Sequence, residues 1–297
     1  LLQDCIALLP SGKVELCLKD DVLEVSADGH VSHFKGVSAS EFPLIPKLTK
    51  ERGYLISGAE LRQAVNQVIF AVSASDSRPE LSGVACFFHG SSGQDRLLIV
   101  ATDSYRLSER SVPLISGGNG KEARCIVPAR SVAEIARILL SYRDEVAMPE
   151  QVEWSLTDNQ LVLSFGNAEL VSRLIEGAFP DYQQIIPSQF RQSTTLSRQE
   201  LAKSFRAASL FSRQGIYDVR LELLPNGDVR VSSADTGTGM HITTLKGDCE
   251  QSEGNQVTLN FRYVSDGLSA MTSERVRLQM IDAMNPVLMT PVDTGGF

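Results

Sequence analysis

The four histidines, His30, His33, His89 and His241, are the first residues to test for chemistry, because imidazole is a common general base and metal ligand. None sits in a G-x-S-x-G or H-E-x-x-H setting, and no phosphate-binding glycine loop precedes a helix. Asp235-Thr236-Gly237-Thr238-Gly239 is glycine-rich, but it joins the strand Val229-Arg230-Val231 to the strand Met240-His241-Ile242-Thr243. That pattern predicts a hairpin loop. Cys5, Cys17, Cys86, Cys125 and Cys249 are odd in number and scattered, with no C-x-x-C, which predicts buried reduced thiols over disulfides or a metal site. Hydrolysis and group transfer have no visible residues, so neither an enzyme nor a bound cofactor or metal is expected.

The chain has 297 residues, 42% of them hydrophobic and 22% charged, an ordinary globular composition with room for roughly two to three domains. No apolar run approaches the roughly 18 residues of a spanning helix, and no secretory leader is evident. A cytoplasmic protein without a membrane partner is expected. A net charge of −8 weighs against nucleic acid, whose affinity comes mostly from phosphate neutralisation. The charges are nonetheless clustered. Arg198, Lys203, Arg206 and Arg213 face a single Glu200, and Arg124, Arg130, Arg137 and Arg143 face Glu134. Either run could be a solvated helix face.

The elements that carry these residues repeat. Ser57-Gly58-Ala59-Glu60-Leu61 returns as Ser197-Arg198-Gln199-Glu200-Leu201, and looser copies begin at Ile126 and Val257. The period is the size of a domain, so one strand-helix unit is used again and again. Val14–Asp20 returns at Val152 and at Val276 with alternating apolar positions, each a half-buried strand. Ser57-x-x-Glu60 and Ser197-x-x-Glu200 both fit the capping box, which predicts two helix starts. Leu61, Val65, Val68, Ile69 and Val72 then form one apolar stripe; Val132, Ile135, Ala136 and Leu139 form another, and Leu201, Phe205 and Ala208 a third. Each helix is expected to lay that stripe on a sheet and turn a polar, often basic, face outward. Residues 54–188 and 189–297 would each hold two such units, and 1–53 only the end of one. Leu1, Leu2, Cys5, Ile6 and Leu9 predict the last turns of a helix, stopped at Pro10-Ser11-Gly12. The chain is therefore expected to start inside a domain, as a first residue other than methionine suggests.

Over essentially its whole length the sequence resembles the bacterial sliding clamp, the beta subunit of DNA polymerase III. The resemblance is carried by Ser77-Arg78-Pro79-Glu80-Leu81-Ser82-Gly83-Val84, Ala101-Thr102-Asp103-Ser104-Tyr105-Arg106-Leu107, Glu176-Gly177-Ala178-Phe179-Pro180-Asp181-Tyr182 and Asn260-x-x-Tyr263. It implies an α+β DNA-clamp fold of tandem β-α-β-β-β units, helices lining the inner face and antiparallel sheets outside. Residues 1–53 would be the C-terminal half of domain 1, 54–188 domain 2, and 189–297 domain 3. The implied function is a processivity factor: a homodimeric ring, when full length, that slides on double-stranded DNA without reading sequence. A ring holds DNA by topology, so weak phosphate contacts suffice and an acidic total is compatible with a cationic lumen.

On this resemblance Arg62, Arg130, Arg137, Arg198, Lys203 and Arg206 are the candidate DNA contacts, and Phe34 and Leu210 match subunit-interface positions. A groove between the second and third domains would dock short linear motifs of the polymerase III catalytic subunit, the clamp loader and repair proteins. Its implied lining is Leu81, Thr102, Ser104, Tyr105, Arg106 and Leu107 on one side, with Pro180, Gln184 and Ile185. Ile216, Asn260, Tyr263, Pro286 and Val287 complete it. Leu107, Ile185 and Val287 would serve equally as core packing. Ile216 stands where the family often has an aromatic, Gln184 where it often has arginine, and the ending Pro291–Phe297 lacks the family's Met-Pro tail, so one groove wall is expected to be missing. The alternative reading is a non-enzymatic scaffold of repeated modules that binds proteins only.

Overall fold

Apolar alternation and turn chemistry place three strands behind each helix but the last, which two described strands follow. The computed structural model describes residues 1–41, 52–75, 77–89, 95–117, 122–142, 150–213, 215–248 and 254–292. Arg143, Cys249 and the end of the chain from residue 293 fall outside these. Residues 1–49 form one unit and 50–297 a second.

In the first unit a short helix, α1 (Leu2–Ala7), precedes an antiparallel meander of β1 (Glu15–Lys19), β2 (Val22–Ala27) and β3 (His30–Lys35). Asp28 and Gly29 both take positive φ, 37° and 85°, the backbone that a two-residue hairpin favours. The expected half-burial of β1 is not found: all five residues are exposed, Leu18 at 71%. Side chains on β1 meet no covering element of this unit among the described residues. For the same reason Cys17 is exposed, against the expectation of buried thiols, whereas Cys86 is buried and Cys5 and Cys125 are half-buried.

The second unit opens with β4 (Arg52–Ser57), α2 (Gly58–Val68), β5 (Gly83–His89), β6 (Arg96–Thr102) and β7 (Leu107–Gly117). The pattern repeats as β8 (Ala123–Pro128), α3 (Ala129–Ser141), β9 (Gln151–Leu156), β10 (Gln160–Phe165) and β11 (Ala168–Arg173). All eight strands join one sheet in the order β11-β10-β9-β4-β7-β6-β5-β8. At two joints, β4 with β9 and β5 with β8, a strand of one copy pairs with a strand of the other. Both predicted helix stripes enter one core, Leu61, Val65 and Val68 beside Val132, Ile135 and Leu139. Ile69 and Val72 stay half-buried, because α2 passes into a 3-10 turn at Ile69–Ala71. Tyr54 stacks on Phe88 at 4.0 Å, and Trp154 meets Phe88 edge-on at 5.8 Å.

A third copy follows as β12 (Gln192–Ser197), α4 (Arg198–Ser209), β13 (Asp218–Leu223), β14 (Val229–Asp235) and β15 (Gly239–Leu245). Then come β16 (Asn255–Asn260), α5 (Phe261–Ala270), β17 (Arg275–Met280) and β18 (Leu288–Val292). The same two joints recur, β12 with β17 and β13 with β16. The predicted hairpin loop is present, with Asp235 Oδ1 accepting from the amides of Gly237 (2.8 Å) and Thr238 (3.3 Å). Ser197 caps α4, its Oγ accepting from the Glu200 amide at 3.3 Å. Ser57 is the N-cap of α2 but makes no side-chain cap bond, so the capping box predicted there does not form. Glu60 instead faces the Arg110 guanidinium on β7 at 3.5 Å, and a charged partner outcompetes a backbone amide.

Candidate functional site

The turn between β6 and β7 is built by its own side chains. Asp103 Oδ1 accepts from the amides of Tyr105 and Arg106, both at 2.9 Å, and Thr102 Oγ1 donates to the Arg106 carbonyl at 2.7 Å. This Asx-type bonding holds Ser104 at φ 77° and leaves Tyr105 83% exposed. Arg106 then reaches across to α5. Its Nε donates to Asp103 Oδ2 at 3.0 Å, its Nη1 pairs with Asp266, and its guanidinium lies 4.6 Å from the Tyr263 ring centre and 5.4 Å from that of Phe70. Tyr105 stacks on Tyr263 at 6.4 Å. Thr102, Ser104, Tyr105, Arg106 and Tyr263 therefore lie together at one seam. Asp103, Asp266 and Phe70 were missed. Asp266 lies three residues after Tyr263, on the same helical face, which was the available signal.

Other predicted groove residues occupy distinct settings. Leu107 packs with Phe179 and Ile186 against Leu98, Val100 and Tyr182, so one flank of the seam is apolar. Burial pushes the Tyr182 hydroxyl far above its usual range, helped by the negative charge of the nearby Glu109 carboxylate. Leu81 is 2% exposed and belongs to the interior. Pro180 accepts from the Tyr182 amide at 2.8 Å, Gln184 donates to Asp181 at 2.6 Å, and Ile185 is exposed. Asn260 caps α5 by accepting from the Arg262 amide at 3.0 Å, Val287 packs on the core of the last module, and Pro286 is exposed. A cleft of about 260 Å³ shares Phe179 with the apolar flank and is lined also by Phe87, Arg124, Ile126, Asp158 and Glu176, among others, but by none of the predicted groove residues.

Ile216 stands exposed in a turn whose next residue, Tyr217, has φ 61°. Arg213 and Asp218 pin this turn with an ion pair, Nε to Oδ2 at 3.1 Å. The Arg213 guanidinium holds the Asp218 carboxyl below its ordinary value of 3.8. A depressed folded value means the stabilisation is present above the unfolded value and is lost as pH falls through the folded one. Asp218→Asn is expected to remove this part of the acid sensitivity, read as a smaller drop in melting temperature below about pH 5.

Of the predicted DNA contacts, Arg130, Arg137, Lys203 and Arg206 are exposed and Arg62 half-buried. Arg137 is already paired with Glu134 at 2.5 Å. Arg198, expected on the outward face, is half-buried: its Nε donates to the Ser273 carbonyl at 2.6 Å and its Nη1 to the Leu268 carbonyl at 3.1 Å. As the first residue of α4, it finds the end of α5 within reach and ties the two helices together. Phe34 is half-buried on β3, and Leu210, at the end of α4, is 74% exposed. Among the described residues no group of His, Cys, Asp and Glu could hold a metal ion, and no helix is long and apolar enough to cross a membrane.

Duplicated strand-helix-strand modules with cationic helix faces and an aromatic seam between them define a DNA-clamp architecture. Residues 55–181 match the central domain of the DNA polymerase III beta subunit, and residues 183–295 match its C-terminal domain. The beta sliding clamp of Synechocystis sp. is 27% identical over 98% of this chain and 77% of its own length. That of Staphylococcus aureus is 26% identical over 97% of this chain and 74% of its own. The solved DNA polymerase sliding clamp of Bacillus subtilis superposes with a TM-score of 0.86 at 25% identity, covering 99% of this chain and 75% of that one. The chain belongs to the bacterial DNA polymerase III beta subunit family, the beta sliding clamps.

Proposed function

We propose that the protein is a DNA polymerase processivity clamp that encircles duplex DNA and tethers its partners through the seam beside Arg106. The observation that carries this reading is the match of two successive beta-subunit domains along the chain. The scaffold alternative, binding proteins only, is not favoured by that match. We read residues 1–53 as half of domain 1, 54–188 as domain 2 and 189–297 as domain 3. Exposed Arg130, Lys203 and Arg206 would touch phosphates, and Leu210 with Phe34 would meet a second copy in the full-length homodimer. The polymerase catalytic subunit, clamp loader and repair proteins would dock short motifs against Tyr105, Leu107, Tyr263 and their neighbours. The protein would act in the cytoplasm, without chemistry of its own.

The test is retention on circular against linear DNA as salt is raised. A topological clamp stays on the circle and runs off open ends; equal retention on both would end the reading. Lys203→Ala with Arg206→Ala is expected to lower the salt slope of DNA binding by about 0.9 per lost phosphate contact. Binding of a short peptide with Gln, Leu and Phe anchors should be untouched. Arg198 is left out of this pair, because removing it would also loosen α4 from α5.

A further inference from the structure

We propose that Asp266 is a positioning residue: paired with Arg106, it latches α5 to the β6–β7 turn and so sets the spacing of the seam. The Arg106 guanidinium has a planar fork of donors and two flat faces. Its donors pair with Asp103 and Asp266, and its carbon lies 4.6 Å from the Tyr263 ring centre and 5.4 Å from that of Phe70. Asp103 cannot follow a moving Arg106, because its other oxygen already holds the amides of Tyr105 and Arg106. The turn is thus braced by its own side chains, and its attachment to α5 rests on the Asp266 carboxylate together with the Tyr263 ring. Asp266 and Tyr263 project from the same face of α5, so one carboxylate and one ring receive the whole turn. Among the described residues a second hydrogen bond across this seam, Gln63 Nε2 to Thr272 Oγ1, is exposed and long at 3.4 Å, too weak to substitute.

The latch itself stands on this geometry; its effect on a docked peptide rests on the groove reading given above. Asp266 side-chain exposure is 46%, and exposed ion pairs contribute little to global stability. Asp266→Asn should therefore leave the melting temperature near that of the parent protein while freeing the seam.

The experiment compares the parent protein, Asp266→Asn and Asp266→Glu by hydrogen exchange and by anisotropy of a labelled short peptide with Gln, Leu and Phe anchors. In Asp266→Asn, exchange should rise together in residues 103–107 and along α5, and peptide affinity should fall roughly 3- to 30-fold. The glutamate variant should restore both. Unchanged exchange in Asp266→Asn overturns the latch whatever the peptide does. Raised exchange with unchanged affinity overturns the positioning role. A parent protein that fails to bind the peptide overturns the groove reading, and the exchange result then decides the latch alone.

Discussion

Trp154→Ala is expected to destabilise the protein by about 3–5 kcal/mol, the loss typical of removing a large buried aromatic. Trp154 is 2% exposed and sits where the two copies of the first module pair meet: it lies opposite Tyr54 on β4 and opposite Leu163 on β10. Its indole edge packs on Phe88, which stacks in turn on Tyr54. Removing it opens a cavity lined by residues of both copies and strips Phe88 of one neighbour. Trp154 is the single tryptophan of the chain, so the loss must be followed by circular dichroism in urea, not by fluorescence. Trp154→Phe, which keeps a ring against Phe88, should lose clearly less. Equal losses for both variants would mean that the packing at this joint is not the origin of the effect.

Gly117→Ala is the second large expected loss. Gly117 has φ 132°, and a Cβ there would lie 2.5 Å from the Gly53 carbonyl oxygen and 2.6 Å from the Tyr54 Cα. Backbone strain of about 1–3 kcal/mol adds to an overpacking loss of about 1–3 kcal/mol. Neither near neighbour is a flexible side-chain tip, so β7 must move away from β4. Hydrogen exchange should rise at Tyr54–Ile56, the stretch of β4 that pairs with β7. Gly53→Ala is the control, since a Cβ at that position meets nothing within 4 Å. Similar denaturation midpoints for the two variants would show that the close approach at Gly117 relaxes freely.

Helices and most strands were legible because the signal was local. The stripe Val132, Ile135, Ala136 and Leu139 is spaced for one helical face, and those residues are the buried ones on α3. The joints that turn repeated units into one sheet were not legible. β4 pairing with β9, and β5 with β8, are contacts between strands far apart in sequence, set by packing of the whole and not by any alternation within either strand. The site divides in the same way. Tyr105, Arg106 and Tyr263 could be named from motifs, but that Asp266 completes the partners of Arg106 depends on two segments meeting in space. Ser57 and Arg198 show the limit of local rules from the other side. Each occupies the helix-start position its motif indicated, yet Glu60 turns to Arg110 and Arg198 to two carbonyls near the end of α5. A partner brought by tertiary folding replaced the one that spacing alone suggested.

The two shared joints in the eight-stranded sheet have a consequence for how the molecule fails. If one copy melted while the other stayed folded, the survivor would present two bare strand borders with unpaired amides and carbonyls, and half of a common apolar interior would be wetted. Such an intermediate is disfavoured at both places at once, so the pair is expected to melt as one cooperative body. Proteases that need the paired strands β4, β5, β8 and β9 to open would then cut within them only on complete unfolding of the pair.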